Sequence, residues 1–271
     1  MSTSSGRGQL LMTPTPVPSA VAEPAVSLDA VTKRYRTGAG VITALDQVSL
    51  AVEIGEFVSI VGTSGCGKST LLNLIAGLER PSGGELNIRG RRVALMFQEP
   101  ALFPWLTARG NIELALRARG VARKQRAAEA GHLLATVGLA DFADARPHQL
   151  SGGMRQRVAL ARALAQDSDV LLMDEPFAAL DAMTRDRLHE ELERIVEKRG
   201  LTVIFVTHNV REAVRLADRV VVLSARPGRV VEEFPIDAAR PRAIDTAEVA
   251  ELAARITARL HIQGGAHDGR R

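Results

Sequence analysis

From about residue 26 the chain alternates short apolar runs with stretches whose apolar positions recur every three or four residues. Val26, Leu28 and Val31 open an alternating pattern, so ordered structure is expected to begin near Ser27. Strand-like runs follow at Val48–Val52, Phe57–Val61, Glu85–Ile88, Val93–Phe97, Val170–Met173, Thr202–Val206 and Val220–Leu223, with a last strand pair around Val220–Phe234. Helical periodicity falls at Lys68–Leu78, Thr107–Arg119, Lys124–Val137, Gly153–Gln166, Asp186–Arg199, Arg211–Ala217 and Thr246–Leu260. Strands dominate to Phe97, helices fill Leu106 to Gln166, and β/α alternation then resumes. That order predicts an α/β chain with a parallel sheet and an inserted helical subdomain at about 98–166. Residues 1–25 are rich in Ser, Thr, Pro and Ala without an apolar period and read as a disordered tail. The main domain is expected over 26–240, and 241–271 as a C-terminal helix and tail. No internal repeat is visible, which excludes two similar units in tandem.

Composition narrows the class. With 271 residues, 46% hydrophobic and 24% charged, the chain has the length and balance of a soluble globular protein with a sizeable core. No window approaches the roughly 18 consecutive apolar residues of a membrane span, so the chain is expected to be no pore or carrier by itself. Near the N-terminus only Leu10, Leu11 and Met12 are apolar before Pro14 breaks the run, so no secretory leader is expected. The single cysteine excludes an internal disulfide framework, and a cytosolic location follows as the expectation. Net charge is +4, but Arg80 to Arg126 holds ten basic and three acidic residues, a block of +7 that leaves −3 elsewhere. Such a block fits nucleic acid, anionic lipid or an acidic partner surface, or simply a solvated Arg-rich helical face.

Gly62-Thr63-Ser64-Gly65-Cys66-Gly67-Lys68-Ser69 has the spacing G-x-x-x-x-G-K-[ST], placed between the strand pattern 57–61 and the helix pattern from Lys68. Glycines let the backbone curl so that several N–H groups face phosphate oxygens, and the helix N-terminus adds a positive dipole end. Lys68 supplies a point charge for the β- and γ-phosphates, and the Ser69 hydroxyl can ligate Mg²⁺. Cys66 reads as a small loop filler without redox chemistry. The pattern indicates a nucleoside triphosphate and leaves open what its energy drives.

A second acidic element is Val170-Leu171-Leu172-Met173-Asp174-Glu175, an apolar strand ending in two carboxylates. A buried strand delivers both acids to the crevice at the carboxyl ends of a parallel sheet. Asp174 is expected to hold Mg²⁺ largely through water, and Glu175 to polarise the water that attacks the γ-phosphate.

Leu150-Ser151-Gly152-Gly153-Met154-Arg155-Gln156 resembles the LSGGQ-type signature of ATP-binding cassette (ABC) ATPases, with Met where Gln is commonest. The remaining motifs of that family stand in order. Gln98 resembles the Q-loop glutamine, Ala179-Leu180-Asp181 the D-loop and His208 the switch histidine. Tyr35 lies where family members stack an aromatic ring on adenine. The resemblance covers about 27–235. It implies a P-loop NTPase (RecA-like) core with an antiparallel β subdomain and the inserted α-helical subdomain. It also implies a role for each position. ATP would be bound by Tyr35, the loop from Gly62 to Ser69 with Thr70, and, on the partner's nucleotide, Ser151, Gly152, Gly153 and Asp181. Mg²⁺ would be held by Ser69, Gln98 and Asp174, and hydrolysis served by Glu175, His208 and Gln98. Two copies would pair head to tail, since a second anion site so far along the chain is redundant in a lone molecule.

The finer likeness is to ATPase subunits of nitrate, taurine and aliphatic-sulfonate importers. It rests on residues 93–106, residues 173–185 and Ala225-Arg226-Pro227-Gly228-Arg229; most of that group read Gly where Ala178 stands. It implies a peripheral subunit at the cytoplasmic face of the cell membrane, joined to a second copy and two membrane-spanning permease subunits. A solute-binding protein would be an indirect partner, and no nucleic acid is expected. Aliphatic sulfonates are the favoured solute, with nitrate or taurine as alternatives; a nucleic-acid-stimulated P-loop ATPase is the rival from another class. Leu102, Phe103, Pro104 and Trp105 are unusually apolar for a loop, which fits either a pocket for a permease segment or a local core under the helices.

Overall fold

The computed structural model describes residues 23–38, 40–178 and 180–265. Its strands are β1 (Val26–Thr37), β2 (Gly40–Val52), β3 (Phe57–Val61), β4 (Gly83–Asn87), β5 (Val93–Met96), β6 (Val170–Asp174), β7 (Thr202–Val206), β8 (Arg219–Leu223) and β9 (Val230–Pro235). Its helices are α1 (Lys68–Ile75), α2 (Ala108–Ala118), α3 (Arg123–Thr136), α4 (Gly152–Leu164), α5 (Ala182–Arg199), α6 (Val210–Leu216) and α7 (Ala247–Gly265).

The strands form two sheets. β1 lies between β2 and β4 in an antiparallel sheet of three. The larger sheet runs β5-β6-β7-β3-β8-β9, and its first five strands are parallel. β9, the second strand of the last pair, is the exception to the parallel order. Only residues 224–229 separate it from β8, too few for a crossover, so it returns as an antiparallel edge.

β3 and β7 are buried at every position, which is why they read as apolar runs interrupted only by Ser59 and opened by Thr202. Successive residues nevertheless serve different layers. Val58, Ile60, Ile204 and Val206 pack with α1 residues Leu71, Leu72 and Ile75 and with the antiparallel sheet. Phe57, Val61, Val203 and Phe205 pack on the opposite face with residues of the helices α2 to α7. Each fully buried large apolar side chain contributes about 1.5–3 kcal/mol, so the sheet is anchored from both sides.

Three expectations change. β2 begins at Gly40, well before Val48, because its first half is exposed and its pairing with β1 is irregular, which breaks the alternation. α5 begins at Ala182, four residues before Asp186, because the Asp181 side chain accepts the Thr184 N–H at 2.9 Å and caps it there. The tail expected over 1–25 mostly lies outside the described residues, but Ala25 is fully buried and donates to the Val52 carbonyl at 2.7 Å. The expectation for 266–271 also lies outside them.

Candidate active site

After β3 the chain turns through Gly62–Gly67 into α1. Gly67 has φ +103°, and a Cβ there would stand 2.7 Å from Leu45 Cδ2 and 2.9 Å from the Ala44 carbonyl, so only glycine fits against β2. Lys68, a residue 7% exposed, donates from its ammonium to the carbonyls of Gly62 at 2.9 Å and Thr63 at 3.2 Å. It therefore spans the loop that it follows. Cys66 is buried beside it, and burial pushes the thiol up, so it stays protonated and unreactive.

Three neighbouring strands end at this loop, because β6, β7 and β3 lie side by side and parallel. Asp174 closes β6, Glu175 follows it, and His208 stands two residues beyond β7. Burial pushes the Asp174 carboxyl up; the neighbouring Ser69 hydroxyl and Lys68 pull it back down, and Glu175 adds to the rise. Glu175 has φ +44°, a left-handed conformation uncommon for a residue other than glycine, and its N–H is held by the Val206 carbonyl at 2.9 Å. Its Oε2 lies 3.0 Å from His208 Nδ1 and 3.4 Å from Gln98 Nε2. An ionised carboxylate only accepts, so His208 Nδ1 is the nitrogen that carries the hydrogen.

These groups share a cleft of about 590 Å³. Tyr35, Ser64, Gly65, Gly67, Lys68, Ser69, Thr70, Gln98, Glu175 and His208 line it, joined by Ile42, Ala44 and Arg226. The Tyr35 phenol donates to Glu79 Oε2 at 2.7 Å, which tethers the ring to the wall. Burial first, and then that bond, raises the phenol's pKa. Gly62 and Thr63 back the loop through their bonds to Lys68, while Asp174 stands behind Ser69. Ile42, Ala44 and Arg226 escape sequence reasoning. The first two sit in the exposed first part of β2, where no apolar period marks them; Arg226 lies in the run 225–229, which carries no spacing rule for a site.

Ser151, Gly152, Gly153 and Asp181 do not line the cleft. The Ser151 hydroxyl accepts the Met154 N–H at 3.2 Å and caps α4. A Cβ on Gly153 would come within 2.9 Å of Leu180 Cδ2, so the start of α4 lies against the turn that leads to Asp181. The segment after Gln98 is bolted to α4. Gln156 Nε2 donates to the Gln98 carbonyl at 3.3 Å, and Arg162 donates to the Pro100 and Ala101 carbonyls, both at 2.8 Å. Buried Asn111 accepts the Phe103 N–H at 2.8 Å. Leu102 turns into the core, whereas Trp105 is 68% exposed with its ring 5.4 Å from that of Phe103.

Residues 45–178 match the family described as ABC transporter. The nitrate import ATP-binding protein of Synechocystis is 48% identical over 73% of this chain and 77% of its own length. The taurine import ATP-binding protein of Rhizobium johnstonii is 46% identical over 81% and 90%. An aliphatic sulfonates import ATP-binding protein of Mesorhizobium japonicum is 45% identical over 90% and 94%. The chain belongs to the ABC transporter ATPase family. A solved ATP-binding cassette, a dimer in a post-hydrolysis state bound to ADP and Pi, is 37% identical with a TM-score of 0.72; the match covers 79% of this chain and all of that one. The α/β fold is thus the P-loop NTPase fold of an ABC ATPase. In this ABC ATPase Ser151, Gly152 and Gly153 stand apart from the cleft of their own chain.

Proposed function

We propose that the chain is the ATP-hydrolysing subunit of an importer, bound at the cytoplasmic face of a cell membrane as a pair of copies with two permease subunits. One observation carries this reading: the carboxyl ends of β3, β6 and β7 bring Lys68, Ser69, Glu175 and His208 into or onto one cleft while Ser151 and Asp181 cap helices outside it. Ser151, Gly152 and Gly153 offer helix-start N–H groups to an anion that this copy does not hold. A second copy, turned head to tail, would supply its own bound ATP there, with Asp181 nearby. Residues 26–240 form the ATPase unit in this reading, with its helical subdomain at 98–166 and an appended helix beyond.

Within each cleft Tyr35 carries the adenine, and the loop N–H groups with Lys68 and Thr70 hold the phosphates. The Ser69 hydroxyl, the Asp174 carboxylate and the Gln98 amide are oxygen donors of the hard type that suits Mg²⁺, and Ser69 and Asp174 are already neighbours. The bound ion would supply charge neutralisation across the β- and γ-phosphates. Glu175 accepts the proton of the attacking water. His208, fixed by its bond to Glu175, contacts the γ-phosphate. ATP favours the closed pair, and the loss of γ-phosphate contacts after cleavage favours opening, which moves the permease subunits.

The exposed Trp105–Phe103 pair, held rigid by Asn111 and Arg162, supports a docking site for a permease segment. The neighbouring +7 block would then face the membrane subunits. Part of it is already engaged, with Arg92 paired to Asp167, Arg109 to Asp144 and Arg119 to Glu129. Aliphatic sulfonates are the solute we favour, delivered by a solute-binding protein. The sulfonate relative aligns over 260 residues, against 205 and 235 for the nitrate and taurine relatives named above. Deleting the gene in its host tests this. Loss of growth on ethanesulfonate as sole sulfur source, with growth on sulfate and nitrate retained, is expected; loss only on nitrate or only on taurine would reassign the solute.

A further inference from the structure

The strand end that presents His208 is tied to a buried polar chain which the reading above does not use. His189 of α5 is fully buried, and its Nε2 lies 2.8 Å from Glu212 Oε1 on α6. The second oxygen of Glu212, itself 4% exposed, accepts the Thr207 hydroxyl at 2.5 Å. Thr207 Oγ1 in turn accepts the Asn209 N–H at 3.0 Å, and the Asn209 side chain accepts the N–H groups of Arg211 and Glu212 at the start of α6. His208 is thus bracketed on both sides by members of one hydrogen-bonded set.

His189 also reaches the other half of the cleft. Its ring meets Phe177 edge-on, with centroids 5.1 Å apart and planes at 71°. Phe177 stands two residues after Glu175, and its carbonyl accepts from Arg185 of the same helix, as the Leu180 carbonyl does at 2.8 Å. One buried imidazole therefore touches the segment that carries Glu175 and, through Glu212 and Thr207, the segment that carries His208.

Apolar side chains of similar volume would fill this space at least as stably, since buried polar and charged groups cost desolvation that pairing only offsets. His189 Nδ1 even remains without a hydrogen-bond partner among the described residues, with Asp186 Oδ1 at 3.9 Å. What the polar set offers instead is fixed distance and direction, because each bond constrains the angle of the next. We propose that His189, acting through Glu212 and Thr207, is a positioning residue that keeps His208 and Glu175 in register for hydrolysis. The proposal rests on the reading of those two residues as the hydrolytic pair.

The test is steady-state ATP turnover by the full chain, with nucleotide affinity and thermal stability measured alongside. His189→Leu should lower kcat about 10- to 100-fold, the scale on which small misplacements act. KM for ATP should stay within about twofold, because no phosphate or adenine contact is removed. His189→Gln, which returns a donor to Glu212, should recover most of the loss. Thr207→Val, which keeps the shape and removes only the hydroxyl, should reproduce the His189→Leu effect even if that variant fails to fold. In a His208→Ala background the His189 change should cost clearly less than it does alone, the remainder being its effect on Glu175. Unchanged kcat in both His189→Leu and Thr207→Val, or losses that multiply in the double variant, overturns the positioning role alone. Full turnover in His208→Ala overturns the reading of the site, and the positioning role falls with it.

Discussion

Lys68 spends its ammonium on the carbonyls of Gly62 and Thr63, so the loop is shaped by the same cation that is proposed to meet the phosphates. Removing it subtracts both a charge-assisted contact and the clamp that preorganises the loop. Lys68→Ala is expected to weaken ATP binding by about 10- to 100-fold, the equivalent of the roughly 1.5–3 kcal/mol of a hydrogen bond to a charged group. Calorimetry reads this directly, and unchanged affinity would contradict the role. Glu175 illustrates a different use of a residue. Its left-handed φ, its anchored N–H and its bond to His208 over-determine one carboxylate, which is a pattern found where strain is retained for function. The residues of this site that are legible in the sequence are those in contiguous motifs, where one backbone turn supplies several groups. Arg226 and Ile42 reach the cleft from distant segments with no local rule to mark them, and only the fold brings them in.

Helix starts carry much of the remaining information. Ser151 caps α4 and Asp181 caps α5, each by accepting an N–H three residues on. Ser151→Ala should cost about 1 kcal/mol in chemical denaturation, the usual value of such a cap. The same variant should also slow turnover only under conditions where the chain pairs, since Ser151 does not line its own cleft. Asp181 adds a pH dependence. The Thr184 N–H holds its carboxyl below the usual carboxylate range, so the charged form is favoured in the folded chain. Its contribution is present above the unfolded-state pKa and is lost as pH falls through the lower folded value. The stability margin of the unmodified chain over Asp181→Ala should therefore persist at neutral pH and shrink on acidification; a margin that grows toward low pH would contradict the cap. Elements are legible in the sequence to differing degrees. β3 and β7 are buried on both faces, and their apolar runs match the observed strands end to end. The first part of β2 exposes Val41 and Ile42, and its pairing with β1 shifts register between Thr43 and Leu50, so neither period survives across it. For α5 the apolar pattern dates the helix from Asp186, whereas the cap sets it four residues earlier.

At the scale of the whole molecule, the order of strands and helices carried the fold: a parallel sheet, interrupted by α2, α3 and α4, is what places three strand ends beside one glycine loop. Among the described residues no helix is long and apolar enough to cross a membrane. In the proposed complex the pore belongs to other subunits, and the exposed Trp105 marks one place where they meet this one. Trp105→Ala should leave ATP turnover by the isolated chain within about twofold, as a surface change away from the site, while co-purification with the permease subunits falls. Equal recovery of the complex would remove that surface from the account. The central claim is that two copies close on ATP through the Ser151 face and reopen after Glu175-assisted cleavage. Its most direct test is the mass of Glu175→Gln in solution with ATP and Mg²⁺, measured by size exclusion with light scattering. The account predicts a stable dimer that forms with ATP and not with ADP; a variant that binds ATP yet remains monomeric would contradict it.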